Sequence, residues 1–303
     1  MVRLDKADIA ARTPWPALIG ALRAMFITGC VAPLRHAHPL PEAGTLLLMP
    51  ATTATHSGVK IVHVSPGNPA RGLPAVHAAY LLSDAVTGVP LALLDGGELT
   101  DRRTAAASVL AASFLARADA ARLLVLGSGR VAAALAEAYA ASFPLTDIAI
   151  WSPRAAHAAK LAARLSTHGL PARAVGTPSP AGFDIIAAAT LSATPLIRGA
   201  DLAPGMHLDL VGAYRADMRE ADGAAMARAL LVVDTRAGGL SEAGDVMQAI
   251  AEGHITEAHV AADLAALCRG QHPGRTSPDQ ITAFKSVGWA GEDLAAAIQA
   301  MGE

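Results

Sequence analysis

Arg122-Leu-Leu-Val-Leu-Gly-Ser-Gly-Arg-Val-Ala132, carried on by the alanine-rich stretch Ala133–Ala141, decides the fold. Leu123–Leu126 is a short, wholly apolar run, suited to a strand buried on both faces. It leads into a Gly-x-Gly-x-x-Ala turn and then into residues that favour helix. Gly127 permits the tight turn. Gly129 has no Cβ, so a pyrophosphate can approach the backbone. Ala132 lets the helix pack close to the strand. The helix N-terminus then offers free N–H groups and a positive dipole end to phosphates. Gly127, Ser128, Gly129, Arg130 and Val131 are therefore candidate dinucleotide contacts. Alone the motif is a weak signal in so alanine-rich a chain; the strand before it and the helix after it give it weight.

Outward from this loop the chain alternates. Strands are predicted at Ile148–Trp151, Ile185–Ala188, Leu208–Val211 and Leu231–Val233, with another at Ile281–Val287 and a final helix at Glu292–Met301. That rhythm predicts a parallel sheet covered on both faces. The second strand ends Trp151-Ser-Pro-Arg154. A site for NAD usually places an acid here to accept the ribose 2′-hydroxyl, and this chain has none. Ser152 and Arg154 suit a 2′-phosphate, so NADP(H) is the favoured cofactor and NAD(H) the other candidate. The bland reading of Arg154 is a solvated surface residue.

The first third reads differently. A helical segment over 1–30, with a helix start at Trp15–Ala24 marked by Pro14 and Pro16, precedes strands at Thr45–Met49 (ended by Pro50), Val59–Val64, Ala75–Ser83 and Leu91–Leu94. Ser65-Pro-Gly-Asn68 is a turn, and Asp84 with Thr87-Gly88 closes a hairpin. This is a mainly antiparallel sheet. A long helix, Leu99–Ala118, follows with Thr100 as its N-cap. The change of rhythm sets a domain boundary near residue 118.

Bulk properties narrow the function. The 303 residues are 52% hydrophobic and 17% charged, with a net charge of -2. Such a chain can bury a large core, and disorder is excluded. No basic cluster supports a nucleic-acid or membrane-surface partner. No apolar run is long enough to span a membrane, and the N-terminus lacks a signal-peptide core. Cys30 and Cys268 have no metal-like spacing and form no disulfide framework, which fits a reducing, cytoplasmic setting.

Three cationic residues stand out. Lys60 lies inside the apolar run Val59-Lys-Ile-Val-His63, where a lysine either faces solvent or is aimed at a partner. Arg103 follows Arg102 at the start of the long helix, where a surface pair is the bland reading. Arg35 lies in Pro33-Leu-Arg-His-Ala-His38. His36 and His38 lack the carboxylate or cysteine company of a metal site, and none is expected. Strand alternation puts His63 on the face opposite Lys60. His56 precedes Gly58 in a loop from which it could reach a pocket. Asp245 reads as a helix-start residue.

The chain resembles the ornithine cyclodeaminase/μ-crystallin family. The resemblance rests on Leu47-Leu-Met-Pro50, Gly58-Val-Lys-Ile-Val62 with Ser65-Pro-Gly-Asn68, Thr87-Gly-Val-Pro90 through Asp95, Arg103-Thr-Ala-Ala-Ala-Ser108, the Gly127 loop, Val211-Gly212, Met218-Arg-Glu220, Ala243-Gly-Asp-Val246 and Thr282-Ala-Phe-Lys-Ser-Val-Gly288 with Glu292-Asp293. These run in order from about residue 31 to the end. The resemblance implies an α/β homodimer with a Rossmann dinucleotide-binding domain at 119–288. It also implies an α+β substrate-binding and dimerisation domain at 1–118 plus 289–303. It implies Lys60 and Arg103 as catalytic residues, with Arg35 and Met49 joining them around a small α-imino or α-amino acid. Thr190, Val211, Ser286 and Gly288 join the cofactor contacts.

Three departures choose among family activities. Cyclodeaminases carry an acid two residues before the Met-Pro pair, where this chain has Leu47. They carry an aspartate base where this chain has Tyr214. Their Phe-Asp-Ser-Val-Gly reads here Phe284-Lys285-Ser-Val-Gly288. Releasing ammonia from an ω-amino group needs such acids; reducing a preformed cyclic imine needs only carboxylate binding, a proton donor and hydride. Asp209-Leu-Val-Gly-Ala213 with Met218-Arg-Glu-Ala-Asp222 also looks like bacterial Δ1-pyrroline-2-carboxylate/Δ1-piperideine-2-carboxylate reductases. The expectation is reduction of a cyclic α-imino acid to L-proline or L-pipecolate. The alternatives are an ornithine cyclodeaminase and a non-catalytic dinucleotide-binding protein.

Overall fold

The computed structural model describes residues 1–302. It divides into two compact units: Met1–Arg103 with Trp289–Glu303, and Thr104–Gly288. The division falls inside a helix, between Arg103 and Thr104, and not after it at residue 118.

In the first unit β1 (Val2–Leu4) leads to α1 (Lys6–Arg12) and α2 (Trp15–Thr28). Asp5 and Asp8 cap α1 reciprocally, each side chain accepting from the other's backbone N–H. Pro16 sits in the first turn of α2, where its missing N–H costs nothing. Then come β2 (His36–Leu40), β3 (Gly44–Thr52), β4 (His56–Val64), β5 (Val76–Asp84) and β6 (Pro90–Asp95), followed by α3 (Gly96–Leu115). The sheet order is β1-β6-β5-β4-β3-β2, antiparallel except where β1 runs parallel to β6. β1 was not expected; three residues carry too little alternation to register. β3 continues through Pro50 to Thr52, beyond the expected stop. β2 pairs only as far as Leu48, so on that side the missing N–H of Pro50 has no ladder bond to lose. Between β5 and β6, Asp84 accepts from the Val86 and Thr87 N–H groups and from the Thr87 hydroxyl, and Gly88 takes a positive φ of 73°. At the start of α3 the capping side chain is Asp95, which accepts from the Glu98 N–H. Thr100 is not the N-cap: it lies within α3 and its hydroxyl donates to the Gly96 carbonyl.

The second unit is built on β7 (Arg122–Leu126), α4 (Arg130–Ala140), β8 (Asp147–Trp151), α5 (Ala155–Thr167), β9 (Ala172–Ala174), β10 (Ile185–Ala188) and β11 (His207–Leu210). It continues with α6 (Gly223–Arg228), β12 (Leu230–Val233), α7 (Arg236–Ser241), α8 (Gly244–Ala251), β13 (Val260–Asp263), α9 (Leu264–Cys268) and β14 (Thr282–Lys285). All eight strands are parallel, in the order β13-β12-β14-β11-β10-β7-β8-β9. The order reverses between β7 and β10, the switch point at which such sheets take nucleotides. Every residue of β10, β11 and β14 is buried, as strands covered on both faces must be. β9 and β13 were not expected: they are three and four residues long and rich in alanine, which favours helix over strand.

The chain then returns to the first unit as α10 (Ala290–Met301), which packs with α2 over β3, β4 and β5. α10 is buried along most of its length, including its two first-turn acids, Glu292 and Asp293.

Candidate active site

Alternation along β4 turns Lys60 to the face covered by α10, while His63 points the other way and is exposed. Met49 on β3 and Tyr80 on β5 lie directly opposite Lys60 in the ladder, so the three form one buried row. Lys60 is only 2% exposed. Its ammonium donates to Asp293 Oδ1 at 2.8 Å. Burial, and next Arg103, pull the Lys60 pKa down against the opposing pull of Asp293, to about 8. Arg35 adds slightly to the lowering.

Asp293 also accepts from Arg103 Nε at 2.9 Å, and Glu292 accepts from Arg103 Nη1 at 2.6 Å. Burial pushes the Asp293 carboxyl up, yet Arg103 and then Lys60 outweigh it and hold it below the usual range. The same acids hold the guanidinium firmly charged. The adjacent Arg102 turns elsewhere, donating to the Thr13 hydroxyl and stacking over Trp15 at 4.1 Å. Neighbouring arginines on one helix are thus separated in role by 100° of rotation per residue.

Asp293 and Glu292 were not picked out as site residues. Acids in a first helical turn read naturally as complements to the helix dipole. The signal that could have found them is their place in an otherwise apolar helix, where buried carboxylates need partners.

Leu47, where a cyclodeaminase would carry an acid, is buried on the same face and pairs with Val62. His56 is not in a loop: it begins β4, and its ring contacts the Thr55 hydroxyl at 3.0 Å. His36 and His38 are exposed on β2. Among the described residues no group of three or more His, Cys, Asp or Glu side chains is arranged to hold a metal.

In the second unit Gly127 adopts φ 129°, and a Cβ there would stand 2.6 Å from the Ala189 carbonyl. Only glycine fits. Gly129 is the reverse case, since an added Cβ would meet nothing within 4 Å. α4 starts after Gly129 with no side-chain cap, a helix start that suits an anion. This cradle fits a dinucleotide pyrophosphate, with Arg130 and Val131 in the first turn. Ser128 donates to the Ser152 hydroxyl at 3.1 Å, and Arg154 is exposed at the start of α5.

Thr190 follows β10 and Val211 follows β11 at the carboxyl edge of the sheet. Ser286 and Gly288 follow β14, where Asp234 accepts from the Ser286 hydroxyl and from the Val287 and Gly288 N–H groups. Asp245 does not cap its own helix; it is buried and accepts from the Glu220 and Ala221 N–H groups. Tyr214, at the position of a cyclodeaminase base, lies just after β11.

Residues 16–301 match the ornithine cyclodeaminase/mu-crystallin family. Δ1-Pyrroline-2-carboxylate reductase of Paracoccus denitrificans is 41% identical over 96% of this chain and 93% of its own. The structure of Thermococcus litoralis Δ1-pyrroline-2-carboxylate reductase in complex with NADH and L-proline superposes with a TM-score of 0.95, at 32% identity, covering 99% of this chain and 96% of that one. The iminosuccinate reductase of Paracoccus denitrificans in complex with NAD+ gives a TM-score of 0.88 at 27% identity, covering 100% and 95%.

Proposed function

The chain belongs to the ornithine cyclodeaminase/mu-crystallin family, and on that premise we propose that it reduces a cyclic α-imino acid, Δ1-pyrroline-2-carboxylate or Δ1-piperideine-2-carboxylate, to L-proline or L-pipecolate. It is an oxidoreductase acting on a C=N bond with a nicotinamide dinucleotide. The observation that carries the substrate reading is the buried set of Lys60 and Arg103 on one shared carboxylate, Asp293. Lys60 pairs with Asp293, and Arg103 pairs with both Asp293 and Glu292. Two buried cations held in place by these acids suit a substrate that carries a carboxylate.

A dinucleotide held at the Gly127 loop and the first turn of α4 would supply hydride for the imine carbon. Arg103 and Arg35 hold the carboxylate, for which a planar guanidinium is the fitting partner. Lys60, with its pKa near 8, carries a proton at neutral pH and gives it to the imine nitrogen as the C=N bond becomes C–N. The lysine is left neutral and regains its proton from solvent. Met49, opposite Lys60, offers an apolar wall to the ring. Leu47 supports reduction over cyclodeamination, because nothing at that position can hold a second amino group.

Relatives holding NADH or NAD+ favour NAD(H), against the NADP(H) preference expected from Ser152 and Arg154. Parallel assays with both reduced nucleotides on both imines, followed by loss of their absorbance, test substrate and cofactor together. Absence of turnover on either imine overturns the proposal, and ammonia release from ornithine replaces it with the cyclodeaminase.

A homodimer is supported by the second face of the first sheet. Leu46, Leu48, Val59, Ile61, Leu81 and Leu93 share that face by register and stay half-buried. Light scattering tests it: Ile61→Glu converts a dimer to monomer. Cys30 and Cys268 form no disulfide among the described residues, in keeping with a cytoplasmic setting. Among the described residues no helix is long and apolar enough to cross a membrane.

A further inference from the structure

Glu220 lies in the loop after β11, with no exposed surface. Its Oε1 accepts from the Thr190 N–H at 2.7 Å and from the Thr190 hydroxyl at 2.9 Å. Its Oε2 accepts from the Gly212 N–H at 2.8 Å. One carboxylate therefore ties together the loops that leave two adjacent strands, β10 and β11, at the sheet edge where nucleotides bind. Three donors converge on it, and both oxygens are used. A neutral amide would turn its own NH2 toward a backbone N–H, so the site calls for a carboxylate. The approach is close enough that a Cβ on Gly212 would collide with the Thr190 backbone and with Glu220 itself.

A buried carboxylate costs several kcal/mol unless it is compensated. The compensation comes from β14. Lys285 is also fully buried, and its ammonium lies 3.0 Å from Asp245 Oδ2. Asp245 Oδ1 accepts from the Glu220 and Ala221 N–H groups, so it fixes the backbone from which the Glu220 side chain springs. Lys285 also favours the ionised form of Glu220 against burial. This gives a physical reason for lysine at the position where cyclodeaminases often carry aspartate: an acid there would replace the ammonium 3.0 Å from Asp245 with a further buried carboxylate.

We propose that Glu220, balanced by Lys285 and seated by Asp245, is a positioning residue for the dinucleotide, shaping the Thr190 and Gly212 loops before the nucleotide arrives. The clamp rests on the dinucleotide reading of this unit. It adds what the Gly127 cradle does not supply, a rigid edge on the other side of the switch point. Val211 is held within this edge, its N–H donating to the Ala188 carbonyl at 2.9 Å.

The test uses the full-length protein. NADH and NADPH affinities are measured by nucleotide fluorescence, amide exchange is followed at Thr190 and Gly212, and KM is measured separately for nucleotide and imine. Glu220→Gln should weaken nucleotide binding about ten-fold or more and speed exchange at both amides by a similar factor, from the loss of bonds to a charged acceptor. KM for the imine should stay within about two-fold, a split that general loosening of the fold does not produce. Lys285→Met should act in the same direction and Lys285→Arg should recover most of the affinity, which settles the question if Glu220→Gln fails to fold. Nucleotide binding within about two-fold of wild type in Glu220→Gln and Lys285→Met would overturn the clamp. Failure of the wild-type protein to bind either nucleotide would instead overturn the dinucleotide reading.

Discussion

In the first unit two buried cations, Lys60 and Arg103, share two carboxylates, Asp293 and Glu292. In the second, one ammonium, Lys285, serves Glu220 and Asp245 and also influences Asp209. Burial works against ionisation in both, but the outcomes differ. Asp293 is held below the usual carboxyl range, whereas Glu220 and Asp209 are raised above it. The first cluster directs its carboxylates at cations. The second directs them largely at backbone N–H groups. Carboxylates paired with cations hold charged side chains in place; carboxylates turned on backbone N–H groups shape loops. The partner of the carboxylate thus distinguishes a group that readies side chains for a ligand from one that organises the chain around it.

The sharpest way to break this contrast is to remove Lys60. Lys60→Ala takes away the proton donor and should lower kcat/KM for the imine by about 10²–10⁴-fold, with nucleotide affinity unchanged. Activity near wild type would remove Lys60 from catalysis. In the wild type, kcat/KM should fall as pH rises through about 8, because the lysine then loses the proton it must deliver. Asp293→Asn comes next. It leaves two buried cations short of a counter-ion and should cost about 3–5 kcal/mol by denaturant unfolding. Asp293 raises the Lys60 pKa, so its loss should also move the alkaline limb of the pH profile to lower pH. An unmoved limb would mean that Lys60 is not the titrating group.

The second unit was far more legible in the sequence than the first cluster. Strand, glycine turn and helix are local patterns, and Gly127 is set by backbone geometry that residue type reports directly. The small antiparallel sheet was legible through its turns, where Asp84 and Gly88 carry their own conformational reasons. Lys60 and Arg103 emerged only from a resemblance, since a lysine in a strand and an arginine on a helix have ordinary solvent-facing readings. Their partner Asp293 is separated from Lys60 by 233 positions in sequence and could not be paired with it by any local rule. Glu220 was quoted only as part of a motif for the same reason: its work is to join two loops that the fold alone brings together. Thr100 was misplaced as a cap because the helix was expected to begin at Leu99, whereas it begins at Gly96, directly after the capping Asp95.

Asp209 gives the finest test of what carboxylate excess does. It is fully buried on β11 and accepts from the Ser108 hydroxyl at 2.9 Å and the Tyr139 hydroxyl at 3.0 Å. Burial lifts its pKa to about 7, against the lowering by these two donors. The folded state therefore binds a proton where the unfolded chain has released it. Stability from this group is complete below the unfolded value of 3.8 and is lost as pH rises to about 7. His207 slopes the other way: burial, then Arg275, depress it to about 3, so the fold gains stability as pH climbs toward 6.5. The two slopes oppose each other in the wild type, and a single curve hides both. Subtracting the unfolding free energy of Asp209→Asn from that of the wild type isolates the aspartate. The difference should fall by about 1.4 kcal/mol per pH unit at most between pH 5 and 7, moving in favour of the variant. A difference that stays level would show that Asp209 is ionised throughout and that its two hydroxyl donors outweigh burial. Ser108→Ala, which removes one of those donors, should cost about 1–3 kcal/mol when Asp209 is ionised and less when it is protonated. Equal cost at pH 5 and pH 8 would assign the hydroxyl to packing alone.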